Sequence, residues 1–197
     1  MKRLLISASL AAIAALPSAA QAQALPAAVV AVVDLERVQT ECTACKTAAA
    51  TLRSQATTEE NREKTLAAPI QTEQQSIQAA VDALKGKEPD AALQNRAKAF
   101  QQRAQAAQEE MARGRQQLQR NQAYIGQQIQ AKLNPIYSQV MQRRGANLLV
   151  EQGATLASSN AVDVTNDVIT ALNAALPTIQ TTAPAAPATR TNQPQGR

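Results

Sequence analysis

Cys42 and Cys45 are the only two cysteines of the 197-residue chain, and they stand at CxxC spacing as Cys42-Thr43-Ala44-Cys45. Three chemistries are open to such a pair. Residues three apart on one helical face approach closely enough for a local disulfide. The thiols could instead link two subunits or stay reduced in a core. The third reading is a redox centre, which needs the motif at a helix start directly after a strand. An apolar, strand-like run does precede the motif by a turn or two, but the rest of a thioredoxin-like chain is missing. Two thiols alone are too few for a structural zinc site. Elsewhere the chain has no His or Trp, and Phe100 is its only Phe. That removes the commonest general base and metal ligand, and it argues against base stacking on single-stranded nucleic acid. No Gly-rich phosphate loop, nucleophile elbow or carboxylate cluster at metal spacing occurs. Neither enzymatic activity, nor a cofactor, nor a nucleic-acid partner is expected.

The state of the thiols depends on compartment. Lys2-Arg3, an apolar run over residues 4–16 and the small-x-small ending of Pro17-Ser18-Ala19-Ala20-Gln21-Ala22 read as a secretory signal over residues 1–22. Cleavage is expected after Ala22 or Ala24. The apolar run is too short to span a bilayer, and no cysteine stands where a lipid would be attached. An exported, soluble chain follows, in which an oxidised Cys42–Cys45 pair is the expected state. Loss of Lys2 and Arg3 takes the formal charge from +5 to +3.

Residues 35–145 carry the pair on one long helical hairpin, turned at Lys85-Gly86-Lys87-Glu88-Pro89-Asp90. In the second arm Ala97, Ala104, Met111, Leu118 and Ile125 recur every seven residues, interleaved with Leu93, Phe100, Ala107 and Gly114. A sustained seven-residue repeat is a coiled-coil signal. The seam is thin, because Ala and Gly bury little apolar area. The first arm has only Leu66, Ile70, Ile77 and Leu84 as a stripe, with Pro69 breaking it. Asp90 is the expected N-cap of the second arm, Pro135 is expected to kink it, and Arg143-Arg144-Gly145 should stop it. Between residues 91 and 145 Arg96, Lys98, Arg103, Arg113, Arg115, Arg120, Lys132, Arg143 and Arg144 face only Glu109 and Glu110 as acids. Such an arm carries a positive field suited to acidic partners or an anionic lipid surface, unless it is simply a solvated helix face.

The hairpin needs an anchor. Strands over residues 27–34 and 146–151, with Ala154-Thr155-Leu156-Ala157 as a third candidate, can pair where its ends return. A helix over 164–176, capped by Asp163 or Thr165, can cover them with Val164, Val168, Ile169, Leu172 and Leu176. The Thr, Ala, Pro and Gln mixture of residues 177–197 has little to bury and is expected to be disordered. The fold class is therefore α+β, with the hairpin projecting from a small β body formed by residues 27–34 and 146–176. A body this small with open strand edges calls for self-association.

This order of elements, with Val29-Val30-Ala31-Val32-Val33-Asp34-Leu35, Arg144-Gly145-Ala146-Asn147-Leu148-Leu149-Val150, Asp163-Val164-Thr165 and Val168-Ile169, resembles the Skp/OmpH family of periplasmic chaperones for outer membrane proteins. The resemblance implies a periplasmic homotrimer with a shared β body. Its helical tentacles would enclose unfolded outer membrane proteins, without ATP, and prevent their aggregation. The Cys pair and the long tail depart from the family pattern. Two other functions fit parts of the chain: an adaptor coiled-coil hairpin of the envelope, and a thiol-redox protein resting on Cys42 and Cys45. Binding by a diffuse inner surface assigns no single residue as a site.

Overall fold

The computed structural model describes residues 26–185. The expected export signal and residues 186–197 lie outside that range. Strand β1 (Val30–Val33) leads through Asp34 into α1 (Leu35–Glu41), then α2 (Thr43–Ala83), α3 (Ala91–Arg144), β2 (Leu148–Glu151) and α4 (Thr165–Ala175). Arms α2 and α3 run out and back. An outgoing and a returning arm bring the chain home in its original direction, so β1 and β2 pair in parallel, Val30 with Leu148 through Val33 with Glu151. The α+β architecture, with a long helical hairpin on a small β body and a terminal helix, is as the sequence implies.

Local chemistry explains most boundaries. Asp34 caps α1 by accepting from Arg37 N at 2.9 Å, and Asp90 caps α3 by accepting from Leu93 N at 2.8 Å. Gly145, at φ 65°, ends α3 in the left-handed region, and Ala146 N reaches back to Met141 O at 2.9 Å. Pro69 and Pro135 sit inside their helices without ending either one. Each removes a donor, yet the flanking turns carry the helix past it.

In the body, Ala31, Val33, Val38, Leu133, Ile136, Val140, Val168 and Leu172 form one core with both cysteines. All five residues expected on the inner face of the terminal helix are buried. Burying a Val or Leu side chain stabilises by about 1.5–3 kcal/mol, so this junction holds the chain together. Thr165 is fully buried, and its Oγ1 accepts from Asp34 N at 2.9 Å, joining the start of α4 to the start of α1. Asp163 Oδ1 accepts from Thr165 N at 2.8 Å and caps the helix from one residue further out. Burial pushes the Asp163 carboxyl up, but the bonds from Thr165 and the charge of Arg37 outweigh it and leave the group below its ordinary value.

Several expectations are corrected. Both strands are shorter than 27–34 and 146–151, because Ala146 closes the helix stop and Asn147 clamps residue 29 through its side chain. Residues 154–157 form no strand. A 3-10 turn occupies Gln152–Ala154, and the third pairing on β1 is a bridge from Val32 to Asp163. The first arm is broken at Cys42, whose ψ of 124° leaves the helical region. There Asn173 on α4 accepts from Thr43 N at 2.9 Å and restarts the helix. The tail is ordered over residues 177–185 and lies along the hairpin. Ile179 joins the core margin, and the main chain of 180, 181 and 183 is hydrogen-bonded.

Candidate functional site

Cys42 and Cys45 are bonded to one another, with Cα atoms 5.1 Å apart, at the break between α1 and α2. Cys45 N also points at Cys42 Sγ, 3.2 Å away, so the cysteine doubles as the N-cap of α2. The two residues are 0 % and 5 % exposed. A sulfur that exchanges with partners must be reachable by an attacking thiolate, and both of these lie within the core that includes Val38, Leu133 and Val140. The position suits a staple at the root of an arm.

Along the hairpin the expected seam faces inward. Leu93, Ala97, Phe100, Ala104, Met111, Gly114 and Leu118 are half-buried, while Ala107 and Ile125 are buried. Leu66, Ile70 and Ile77 of α2 and Leu84 at its C-cap answer them, also half-buried. At Gly114 the missing side chain admits the Glu59 carboxyl, and a Cβ there would overlap it. Ala- and Gly-rich packing of this kind leaves the outer hairpin weakly held and easy to spread.

Charge supplies part of the register. Arg62 reaches Glu110 at 2.5 Å, Arg115 reaches Glu63 at 2.5 Å, and Arg96 reaches Glu73 at 2.8 Å, all between α2 and α3. Arg103 lies 3.6 Å from the same Glu73. The hydrogen bond from Arg96 holds the Glu73 carboxyl below its ordinary value, with the charges of Arg96 and Arg103 acting in the same sense against desolvation. The uniform positive arm expected from residues 91–145 is thus partly neutralised, because its arginines face glutamates of the first arm. Lys98 and Lys132 are exposed and, among the described residues, have no carboxylate within 4.0 Å.

Apolar surface is concentrated near the root. Val29, Val30, Leu148 and Leu156 are exposed on the body, and β2 pairs on one side only. A groove of about 570 Å³ lies between the first turns of α2 and the middle of α3, lined by Cys45, Lys46, Ala49, Leu52, Ile125 and Ile129. Over the seam, Gln55, Gln117, Asn121 and Gln128 hold the main chain of residues 180–183. Sequence reading missed these four amides because Gln is abundant throughout the arms. The usable signal is the recurrence of 117, 121 and 128 on one helical face. Among the described residues no helix is long and apolar enough to cross a membrane.

Comparison with known proteins places these features in a family. No curated protein matches the chain. Among solved structures, a crystal structure at 2.83 Å resolution from Caulobacter crescentus CB15, proposed by name to be an OmpH-like outer membrane chaperone, shares the fold. Its TM-score is 0.63 at 20 % sequence identity, over 80 % of this chain and 90 % of that one. The sequence itself matches the family described as Outer membrane protein (OmpH-like) over residues 29–172, from the first strand to the core of the last helix. The chain belongs to the OmpH-like family.

Proposed function

We propose that the protein is an ATP-independent holdase chaperone of the periplasm, which keeps unfolded outer membrane proteins from aggregating between its helical arms. The observation that carries this reading is a pair of long arms, 41 and 54 residues, joined by a thin seam and anchored only at one end. At 1.5 Å per residue helices of that length measure roughly 60 and 80 Å end to end, the longer one including the turns that pack Leu133, Ile136 and Val140 into the body. A holdase must accept many sequences weakly, which favours spreadable arms with small apolar and polar patches over a preformed pocket. The family match and the chaperone name of the Caulobacter protein support the same reading.

Self-association belongs to the proposal. The outer edge of β2 and the exposed Val30 and Leu148 suit closure of the sheet by further copies, three in the arrangement we favour. Several hairpins would then project from one side and bound a cavity. The test is dilution of a urea-unfolded outer membrane barrel protein into buffer with stoichiometric amounts of this protein. Light scattering should fall strongly, and scattering unchanged by the protein would sink the holdase reading.

A further inference from the structure

Beyond the last helix the chain runs extended over the seam of the hairpin. Ile179, Thr181 and Ala183 turn inward and are half-buried, while Gln180 and Thr182 are exposed, the period-two alternation of a strand. Among the described residues no strand pairs with it. Side-chain amides take the place of a neighbouring backbone. Gln128 grips Gln180 at both ends, donating from Nε2 to its carbonyl at 2.8 Å and accepting from its N–H at 3.0 Å. Gln55 Nε2 donates to Thr181 O at 3.3 Å. Asn121 Oδ1 accepts from Ala183 N at 2.9 Å, and Gln117 Nε2 donates to Ala183 O at 3.3 Å.

Three of the four amides are wired together. Gln117 Nε2 donates to Asn121 Oδ1 at 2.7 Å, and Asn121 Nδ2 donates to Gln55 Oε1 at 3.0 Å. Asn121 is 5 % exposed, so its orientation is set by this relay across both arms and not by solvent. An amide offers a donor and an acceptor on adjacent atoms, the pattern a peptide group presents. All five contacts to residues 180–183 go to main-chain atoms, so the track recognises an extended chain without reading its sequence. What it does require is small or apolar side chains at alternate positions, which unfolded strands of a membrane β-barrel supply.

Successive contacts move from Gln128 through Asn121 to Gln117, towards the tip of the hairpin. In that direction a cleft of about 370 Å³ opens between the arms, lined by Thr58, Glu59, Gly114 and Leu118. Among the described residues the buried Glu59 Oε1, packed against Gly114, has no hydrogen-bond partner.

We propose that Gln55, Gln117, Asn121 and Gln128 form a binding site for the main chain of an extended polypeptide, that residues 179–183 occupy it in the free protein, and that an unfolded client strand exchanges with them. The exchange with client rests on the holdase reading, whereas the site itself does not. A tethered segment acts at an effective concentration in the millimolar range, so it suppresses weak external ligands and leaves the site to those that bind along a longer stretch.

Gln180→Pro with Ala183→Pro in the full chain tests this, because proline removes the two N–H groups that Gln128 and Asn121 receive and leaves the track intact. The probe is a fluorescent synthetic peptide spanning residues 177–185. It should bind the doubly substituted chain and bind the unaltered chain at least about tenfold more weakly, since there its place is taken. Adding Asn121→Ala and Gln128→Ala should abolish binding, with circular dichroism unchanged. An unfolded barrel protein should displace the peptide, and in the unaltered chain it should speed hydrogen exchange at Gln180 and Ala183. A peptide that binds neither chain overturns the site. If the peptide binds but a client the protein demonstrably holds does not displace it, the segment is a fixed strap and exchange is refuted. Absence of any holding in the scattering assay removes the holdase reading while the peptide result still decides the site.

Discussion

Arg96 Nε of the second arm lies 2.8 Å from Glu73 Oε1 of the first, and the same carboxylate meets Arg103 at 3.6 Å. One acid therefore ties two turns of α3 to α2 in the outer half of the hairpin. Its carboxyl is held below the ordinary glutamate value of about 4.3. A lowered folded value means that the carboxylate supports the paired arms above the unfolded value and loses that support as pH falls through the folded one. Protection of the outer arms against hydrogen exchange, taken relative to the intrinsic rate at each pH, should fall once the pH drops below the ordinary glutamate value, and Glu73→Gln should show the lower protection already at neutral pH. Identical exchange in the two proteins at pH 7 would assign the pair no role in holding the arms.

Leu148→Asp tests the proposed assembly apart from folding. Leu148 is 47 % exposed on the edge strand, whereas its neighbour Leu149 packs against the core. Leu148→Asp should therefore leave the circular dichroism of the protomer in place while reducing the mass in sedimentation, because a charge is stranded at the closing edge. An unchanged mass would argue that β2 is not the contact between copies. Replacing Leu149 as well should unfold the body, so the single substitution is the informative one.

Changing Cys42 and Cys45 together to Ala should lower stability by about 1–2 kcal/mol, through lost packing at two buried positions. Suppression of client aggregation should persist, since holding requires no thiol. Loss of holding with the oligomer intact would move the pair from staple to active group.

Client capture should slow with salt as the Debye length falls from about 10 Å at 0.1 M to about 3 Å at 1 M. Arg96 and Arg103 are unsuitable for testing the cause, because reversing them breaks the arm-to-arm pairs with Glu73. Lys98→Gln with Lys132→Gln removes exposed charge and leaves those pairs alone. In stopped-flow capture of an acidic unfolded barrel protein, this variant should be slower at low salt and converge with the unaltered protein at high salt. Rates equal at both salt concentrations would make the remaining positive charge a solvated surface only.

Much of this architecture is written in local pattern. The seven-residue repeat from Ala97 to Ile125, the Asp90 cap, the Gly145 stop and the face running from Val164 to Leu176 each depend on contacts within a few turns of one helix, and each is found where the sequence puts it. What lay beyond reach involves partners distant in the chain. The first arm breaks at Cys42 because Asn173, 130 residues away from Thr43, caps the new helix. The basic arm is partly neutralised because Glu63 and Glu73 come to face it from α2. Residues 177–185, with little beyond Ile179 to bury, are held in place because Gln55, Gln117, Asn121 and Gln128 meet their main chain across the seam. Helical period and capping are properties of neighbouring residues and can be read along a line. Hydrogen bonds and ion pairs between remote side chains depend on the register of two long arms, and only the folded hairpin decides that.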